Sequence, residues 1–190
     1  MEADRNLYIK NMVCDRCIMA VTQALEQLGT APLSVVLGRA ELPEAPTETQ
    51  RKEIRKALEA LGFELIDDPR GRIVEQIKRL IIELVHSDGP RLHTNLSQHL
   101  AAACHHDYSA LSKLFSETQG TTIEKYFIAQ KIERAKELLD YGELSLGEIA
   151  DRLDYSSTAH LSAQFKALTG LTPRQYKQQK SLPRIPLDKV

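Results

Sequence analysis

Three cysteines, no tryptophan and no apolar run of the roughly 18 residues that a membrane helix requires set the first limits on this chain of 190 residues. Cys14, Cys17 and Cys104 are too few and too unevenly spaced for a disulfide framework. In a reducing compartment the close pair therefore points to metal or thiol chemistry. The charged start, Met1 to Asn6, does not read as a signal peptide, so a cytoplasmic protein without membrane attachment is expected. No single charge sign dominates, since the net charge is -1. That balance hides an asymmetry: up to Asp68 there are 8 Lys and Arg against 12 Asp and Glu, and beyond it 17 against 14. The more positive part is the one that suits a phosphate-facing surface. At 42% hydrophobic and 27% charged, the chain is long enough for two small cores and shows no compositional sign of disorder.

Within the positive part, residues 111–126 and 161–176 repeat one another at a spacing of 50. Leu111, Ser112, Phe115, Gly120, Thr122 and Tyr126 recur as Leu161, Ser162, Phe165, Gly170, Thr172 and Tyr176. Each copy places two large apolar residues on one helical face, then a helix-ending glycine, a threonine fit to start a new helix and an aromatic to lock it. Only two copies occur, whereas a solenoid needs about three or more. A pair of small helical subdomains is the reading that fits.

The first 68 residues alternate between the two periodicities. Leu7 and Ile9 alternate with Tyr8 and Lys10 as a strand; Ile18, Val21, Leu25 and Leu28 share one face of a helix that Gly29 ends. Ser34 to Leu37 and Ala40 to Leu42 form a hairpin around Gly38-Arg39. Thr47 with Gln50 makes a capping box for a helix whose inner face is Ile54, Ala57, Leu58 and Leu61, followed after Gly62 by a strand from Phe63 to Ile66. This βαββαβ order predicts an α+β, ferredoxin-like N-terminal domain over residues 1–68.

Cys14 and Cys17 fall where the first strand gives way to the first helix, in Asn11-Met12-Val13-Cys14-Asp15-Arg16-Cys17. There the helix N-terminus favours thiolates and the three-residue offset aims both sulfurs at one point. Two converging thiolates suit soft ions. The Met-x-Cys-x-x-Cys string at this junction, with Gly62-Phe63 near the end of the second helix, resembles the heavy-metal-associated domain of copper chaperones and metal-transporting ATPases over roughly residues 5–67. The resemblance implies Cys14 and Cys17 as metal ligands and Met12 as a support beneath the loop. It favours Cu(I), with Hg(II), Cd(II) or Zn(II) as other candidates, and no cofactor is expected to be needed for DNA binding. Asn11 stands where that family usually has glycine. A thiol redox site is the competing reading of the same pair. Cys-Asp-Arg-Cys lacks the Trp and Gly-Pro common around thioredoxin-like sites and no general base is near it, so no enzyme is expected.

Pro69, Arg70, Gly71 and Arg72 read as a linker, 69–72, before an all-α domain over 73–180 and a C-terminal tail, 181–190. Ile73, Ile77, Leu80, Ile81 and Leu84 define a long amphipathic helix; a second runs from about Asn95 to Ala103. Cys104-His105-His106 forms a turn and Asp107 caps a helix from Tyr108 to Gln119, which completes a helix-turn-helix. Thr121 and Glu124 predict a capping box for a long helix with Ile128, Ile132, Ala135, Leu138 and Leu139 inside. Ser145 and Glu148 predict another, opening a second helix-turn-helix with Ile149, Ala150 and Leu153 inward, a turn at Asp154-Tyr155-Ser156 and a second helix from Ser157 to Thr169. Pro173 introduces a closing helix through Tyr176.

The strings from Ile132 to Leu139, from Leu146 to Ala150 and from Phe165 to Tyr176 resemble the DNA-binding domain of AraC/XylS-type bacterial transcription regulators. The Thr-Gly-x-Thr-Pro-x-x-Tyr string of residues 169–176 is the most specific of them. That resemblance implies double-stranded promoter DNA as partner, RNA polymerase as a compatible second partner, and a monomer or weak dimer whose two recognition helices enter successive major grooves. By position the first would present Ser109, Ala110, Ser112 and Lys113, and the second Thr158, Ala159, His160, Ser162 and Ala163, with Leu111, Leu114, Phe115, Leu161 and Phe165 inside. Lys113 is the best base or phosphate contact. Ala163 holds a position that is often basic in the family, and Leu153-Asp154-Tyr155 replaces its glycine-phenylalanine turn. The second reader is therefore expected to position more than to discriminate.

Five of the six histidines, His86, His93, His99, His105 and His106, cluster between residues 86 and 106. Their separations do not hold one helical face, so a structural or solvent role is expected rather than a second metal site. The combined reading is a regulator in which a soft metal at Cys14 and Cys17 alters DNA binding. A thiol redox-sensing regulator and a metal-scavenging or delivery protein are the alternatives.

Overall fold

A computed structural model describes residues 5–86, 95–179, 184–187 and 190. The strand β1, Asn6–Lys10, alternates as its sequence requires: Leu7 and Ile9 are buried while Asn6, Tyr8 and Lys10 are half-buried. It is a central strand of a four-stranded antiparallel sheet with β2 (Ser34–Val36), β3 (Arg39–Glu41) and β4 (Glu64–Leu65), in the order β2-β3-β1-β4. The register sets Leu7 opposite Ala40 and Ile9 opposite Leu65, which puts four apolar side chains on one face. Onto that face α1 (Asp15–Gln27) brings Val21 and Leu25, and α2 (Glu48–Ala60) brings Ile54 and Leu58. Each such side chain contributes roughly 1.5–3 kcal/mol when fully buried.

Helix boundaries follow local chemistry. Thr47 and Gln50 form the expected capping box at the start of α2. Leu28 and Leu61, expected on inner faces, are instead 37% and 50% exposed. Each is the residue at which its helix stops, and the glycine after it, Gly29 or Gly62, has positive φ and turns the chain away from the core.

The next helix, α3, spans Pro69–His86, so residues 69–72 are its first turn and not a linker. The Asp68 carboxylate accepts the backbone N–H of Arg70 at 3.0 Å and of Gly71 at 2.7 Å. It thereby satisfies donors that a helix start leaves open, while Pro69 has no N–H to satisfy. Val74, Ile77 and Ile81 are buried along this helix. Six further helices are described: α4 (Leu96–Cys104), α5 (Tyr108–Gln119), α6 (Ile123–Tyr141), α7 (Leu146–Arg152), α8 (Thr158–Thr169) and α9 (Pro173–Gln179). Asn95 caps α4 through the Gln98 N–H, and Ser145 with Glu148 forms the expected box on α7. For α6 the cap is Thr122, which accepts the Lys125 N–H, and not Thr121. The one-residue difference arises because Gly120 takes the left-handed conformation that ends α5, and the chain needs one extended residue more before α6 begins.

The chain divides into two compact units, one of Met1–Leu80 with Thr94–Leu114 and one of Ile81–His93 with Phe115–Val190. No helix among the described residues is long and apolar enough to cross a membrane.

Candidate nucleic-acid interface

The 50-residue repeat is a structural repeat. Leu111 and Phe115 on α5, and Leu161 and Phe165 on α8, are all buried. Gly120 and Gly170 follow with φ of +67° and +77°. Thr122 then accepts the Lys125 N–H, and Thr172 the Gln175 N–H, so each threonine starts the next helix. Buried Tyr126 and Tyr176 close the unit against Phe115 and Phe165, with ring centroids 5.6 and 5.5 Å apart.

The turns ahead of the two helices differ in length. Left-handed His105 follows α4, and α5 starts at Tyr108; left-handed Asp154 follows α7, and α8 starts only at Thr158. In both, a backbone N–H reaches back over the last helical turn, from His106 to Ala101 O at 3.3 Å and from Tyr155 to Ala150 O at 2.9 Å. Asparagine and aspartate tolerate this conformation better than bulky residues, which accounts for Asp154 serving where a glycine would be easiest. Beside it Leu153 and Tyr155 are buried. Tyr155 meets His160 of α8 edge-on at 5.2 Å, and the Lys131 ammonium of α6 sits 5.0 Å from the Tyr155 ring and 4.6 Å from that of Phe127. His160 Nδ1 is also hydrogen-bonded to Ser156 Oγ at 3.2 Å, and Ser157 caps α8 through the His160 N–H. Sequence reasoning missed this cluster. Its one sequence signal is an aromatic in a turn three and five residues ahead of the exposed polar Thr158 and His160.

Of the residues expected to face DNA, Ser109, Ala110 and Lys113 are exposed on the N-terminal half of α5 and Ser112 is half-buried. On α8, Thr158, Ala159, His160 and Ala163 are exposed and Ser162 is half-buried. Leu114, expected inside, is only half-buried. Each helix thus offers its first two turns on one side and a buried leucine-phenylalanine pair on the other.

The cysteine pair lies on the first unit. Cys14 is the residue before α1 and is exposed; Cys17, in the first turn, is half-buried, and the sulfurs are 3.5 Å apart. Burial pushes the Cys17 thiol up, with opposing backbone hydrogen bonds from Val13 and Cys14, so the expected helix-terminal lowering does not prevail there. Met12 is buried in the sheet core. Asn11 has φ of +71°, and its side-chain amide donates to Gly62 O at 3.0 Å. This ties the cysteine loop to the turn after α2, a tie that glycine at position 11 would not make. No group of three or more metal-ligating side chains occurs among the described residues.

Among the described residues the histidines form no metal-holding group. His86 is bonded to Gln130 at 3.1 Å and sits 3.9 Å from Glu137, His105 is an exposed left-handed turn residue, and His93 lies outside the described residues. Gln130, Glu133 and Lys136 of α6 are buried polar residues, and all are partnered. Glu133 pairs with Lys136 and accepts the Ile185 N–H at 3.0 Å, while Gln130 donates to Leu187 O at 3.1 Å. The described part of the C-terminal tail therefore lies along α6.

Residues 100–179 match the family described as a helix-turn-helix domain. The transcriptional activator RhaR of Cronobacter sakazakii is 36% identical over 69 residues, 36% of this chain and 24% of that protein. The xylose operon regulatory protein of Escherichia coli K12 is 36% identical over 73 residues, 38% of this chain and 19% of its own length. Among solved structures, the C-terminal domain of AraT, a response regulator from Geobacillus stearothermophilus, aligns at 25% identity and a TM-score of 0.49, covering 61% of this chain and 89% of that one. The chain spans less than a quarter of the length of these curated relatives. Both curated relatives are named as transcription regulators, and what this chain shares with them lies in its C-terminal part, where residues 100–179 match a helix-turn-helix domain.

Proposed function

We propose that the chain is a transcription regulator that binds double-stranded promoter DNA through the exposed halves of α5 and α8, within residues 73–180, and acts in the cytoplasm as a monomer or weak dimer with RNA polymerase as a compatible partner. The observation that carries this reading is the doubled unit itself. Each copy holds one helix by a buried leucine, phenylalanine and tyrosine while leaving its opposite, N-terminal side exposed. That is what a helix entering a major groove requires. Lys113 reads a guanine or holds a phosphate, and Ser109, Ser112, Thr158 and Ser162 supply short polar contacts. Ala110 and Ala159 give close approach, and His160, held by Tyr155, sets the pose of α8.

Selection of binding sites by the full chain from a random-sequence duplex pool tests the reading. A preferred site should emerge, and affinity should fall steeply with salt. Lys113→Ala should weaken binding by roughly 1 to 3 kcal/mol if the lysine reads a base, and less selectively if it holds a phosphate. Absence of any preferred sequence would refute it.

Residues 1–68 are best read as a ferredoxin-like, heavy-metal-associated-like domain that takes a soft ion at Cys14 and Cys17. Two sulfurs each about 2.3 Å from one ion span at most about 4.6 Å. The 3.5 Å separation lets both reach it, and the pair suits a low-coordinate ion such as Cu(I), with Hg(II) or Cd(II) next, better than a closed four-ligand zinc site. Met12 and the Asn11 bond to Gly62 hold the loop. Binding must displace thiol protons, so affinity falls on acidification. Titration of the reduced chain with Cu(I), Zn(II), Cd(II) and Hg(II), read as metal affinity and as affinity for the selected duplex, tests it. Cys14→Ser or Cys17→Ser should abolish the metal response and Cys104→Ser should not. A reversible Cys14–Cys17 disulfide that shifts DNA affinity without any metal would put a redox sensor in its place. Metal uptake without DNA affinity would make the chain a delivery protein.

A further inference from the structure

The first half of α3 approaches the sheet on the side of Tyr8, opposite the core, without packing tightly against it. Between them, within the first unit, lies an open groove of about 470 Å³, within the range of small-molecule sites. Its charged lining is three arginines, Arg39 of β3 and Arg72 and Arg79 of α3, against the single acid Glu75. Glu75 is engaged by Lys78 at 3.4 Å. The groove therefore carries a positive balance in a chain whose first part is otherwise acidic. Tyr8 of β1 is its aromatic element, and the Arg72 guanidinium stacks on the Tyr8 ring at 4.1 Å, which fixes the plane of that cation. Gly38, whose φ of +79° turns the chain between β2 and β3, brings that turn beside the Arg79 side chain: a Cβ there would lie 3.6 Å from Arg79 Cδ, an ordinary contact. Val36, Ile66 and Ile73 give the remaining walls an apolar character.

We propose that this groove binds a small organic anion, a phosphate monoester with a planar or apolar body, gripped by Arg39, Arg72 and Arg79. Guanidinium forks match phosphate oxygens in geometry as well as charge, and three of them suit a dianion better than a single carboxylate. The concave shape and apolar walls favour a small molecule over a duplex backbone, which offers phosphates on a convex surface and nothing for Val36 or Ile73 to cover. The groove shares no lining residue with the exposed halves of α5 and α8 or with the cysteine pair, so it would give the chain a second input.

Calorimetric titration of the full chain with phenyl phosphate in phosphate-free buffer tests this. One saturable site is expected. Benzoate, with one charge, and inorganic phosphate, without the ring, should each bind about tenfold more weakly. Arg39→Gln and Arg79→Gln should each lower affinity for phenyl phosphate by about tenfold or more. Arg16→Gln, outside the groove, should leave it unchanged. Because Arg72 also packs on Tyr8, the Arg72→Gln result counts only alongside an unchanged thermal midpoint, and the other two arginines carry the test. Absence of saturable binding, or equal binding by the Arg39→Gln, Arg79→Gln double variant, would overturn the proposal. So would inorganic phosphate matching phenyl phosphate with duplex DNA competing for the site, which would make the groove a nucleic-acid surface. None of these readouts depends on operator binding or on Cys14 and Cys17, so failure here is distinct from failure of the regulator reading.

Discussion

Phe165 and Tyr176 meet edge-on with ring centroids 5.5 Å apart, and 50 residues earlier Phe115 and Tyr126 repeat the contact at 5.6 Å. The pair links the recognition helix to the helix after it, so the angle between the two depends on both rings. Phe165→Ala should cost about 3–5 kcal/mol in urea denaturation. Tyr176→Phe, which keeps the ring and removes only the hydroxyl donating to Asp140 at 3.3 Å, should cost about 0.5–1.5 kcal/mol. Similar losses in the two variants would show that the ring contact is not what holds the unit.

Alkaline titration should separate the tyrosines. Burial pushes both Tyr155 and Tyr176 up to about 12, with Asp140 adding to the effect on Tyr176. Between pH 10 and 12 the unfolded chain has lost these protons and the folded chain still holds them. Stability is therefore complete below pH 10 and declines from there towards 12. Phenolate absorbance should show Tyr155 and Tyr176 ionising well above pH 10, and Tyr155→Phe should flatten the alkaline decline. Ionisation of Tyr155 and Tyr176 near pH 10 in the folded protein would contradict this.

Acid should act in two steps on the second unit. Burial pushes His86 below 6.5, against the opposing bond to Gln130, so its contribution to stability is complete above pH 6.5 and is lost as pH falls through the lowered value. Burial pushes the neighbouring Glu137 carboxyl up, but the hydrogen bond and charge of Arg134, with Arg184, outweigh it and hold the group below 4.5. Its loss comes later, on further acidification. Thermal midpoints measured against pH should lose the first step in His86→Gln and keep the second.

The loop ahead of Cys14 offers a test of its own. Asn11→Ala keeps a side chain in the left-handed conformation and removes the bond to Gly62 O, at an expected cost of about 1–2 kcal/mol. Asn11→Gly removes the bond but relieves the backbone, and should cost less. A larger loss in the glycine variant, read from chemical denaturation, would mean that the left-handed backbone is not what position 11 demands.

What could be read from the sequence was local. The Thr47–Gln50 and Ser145–Glu148 boxes span four residues each, and their chemistry is complete within that window. The helix-ending glycines and the buried leucine-phenylalanine pairs were legible for the same reason, doubled by the repeat. Pro69 was misread because proline and glycine together look like a break, whereas Asp68 turns that proline into a helix start. The exposure of Leu28 and Leu61 escaped periodicity, which continues on paper one turn past the point where the helix stops. The partners of Gln130 and Glu133 were invisible, since polar residues on the inner face of α6 make sense only once residues 185 and 187, more than 50 positions away, lie against them. The arginine groove is of the same kind: Arg39 and Arg79 are 40 positions apart and acquire a common purpose only in three dimensions.

Each compact unit is sewn from two separate stretches of chain, with Ile81–His93 belonging to one and the flanking Leu80 and Thr94 to the other. No single cut of the gene can then yield two intact halves. On the ribosome the sheet and its two helices are made first, yet their unit stays unfinished until Leu114 has been added, after the first stretch of the second has been synthesised. A nascent chain stalled between residues 80 and 114 would carry the finished sheet core but lack the later stretch, up to Leu114, that completes its unit.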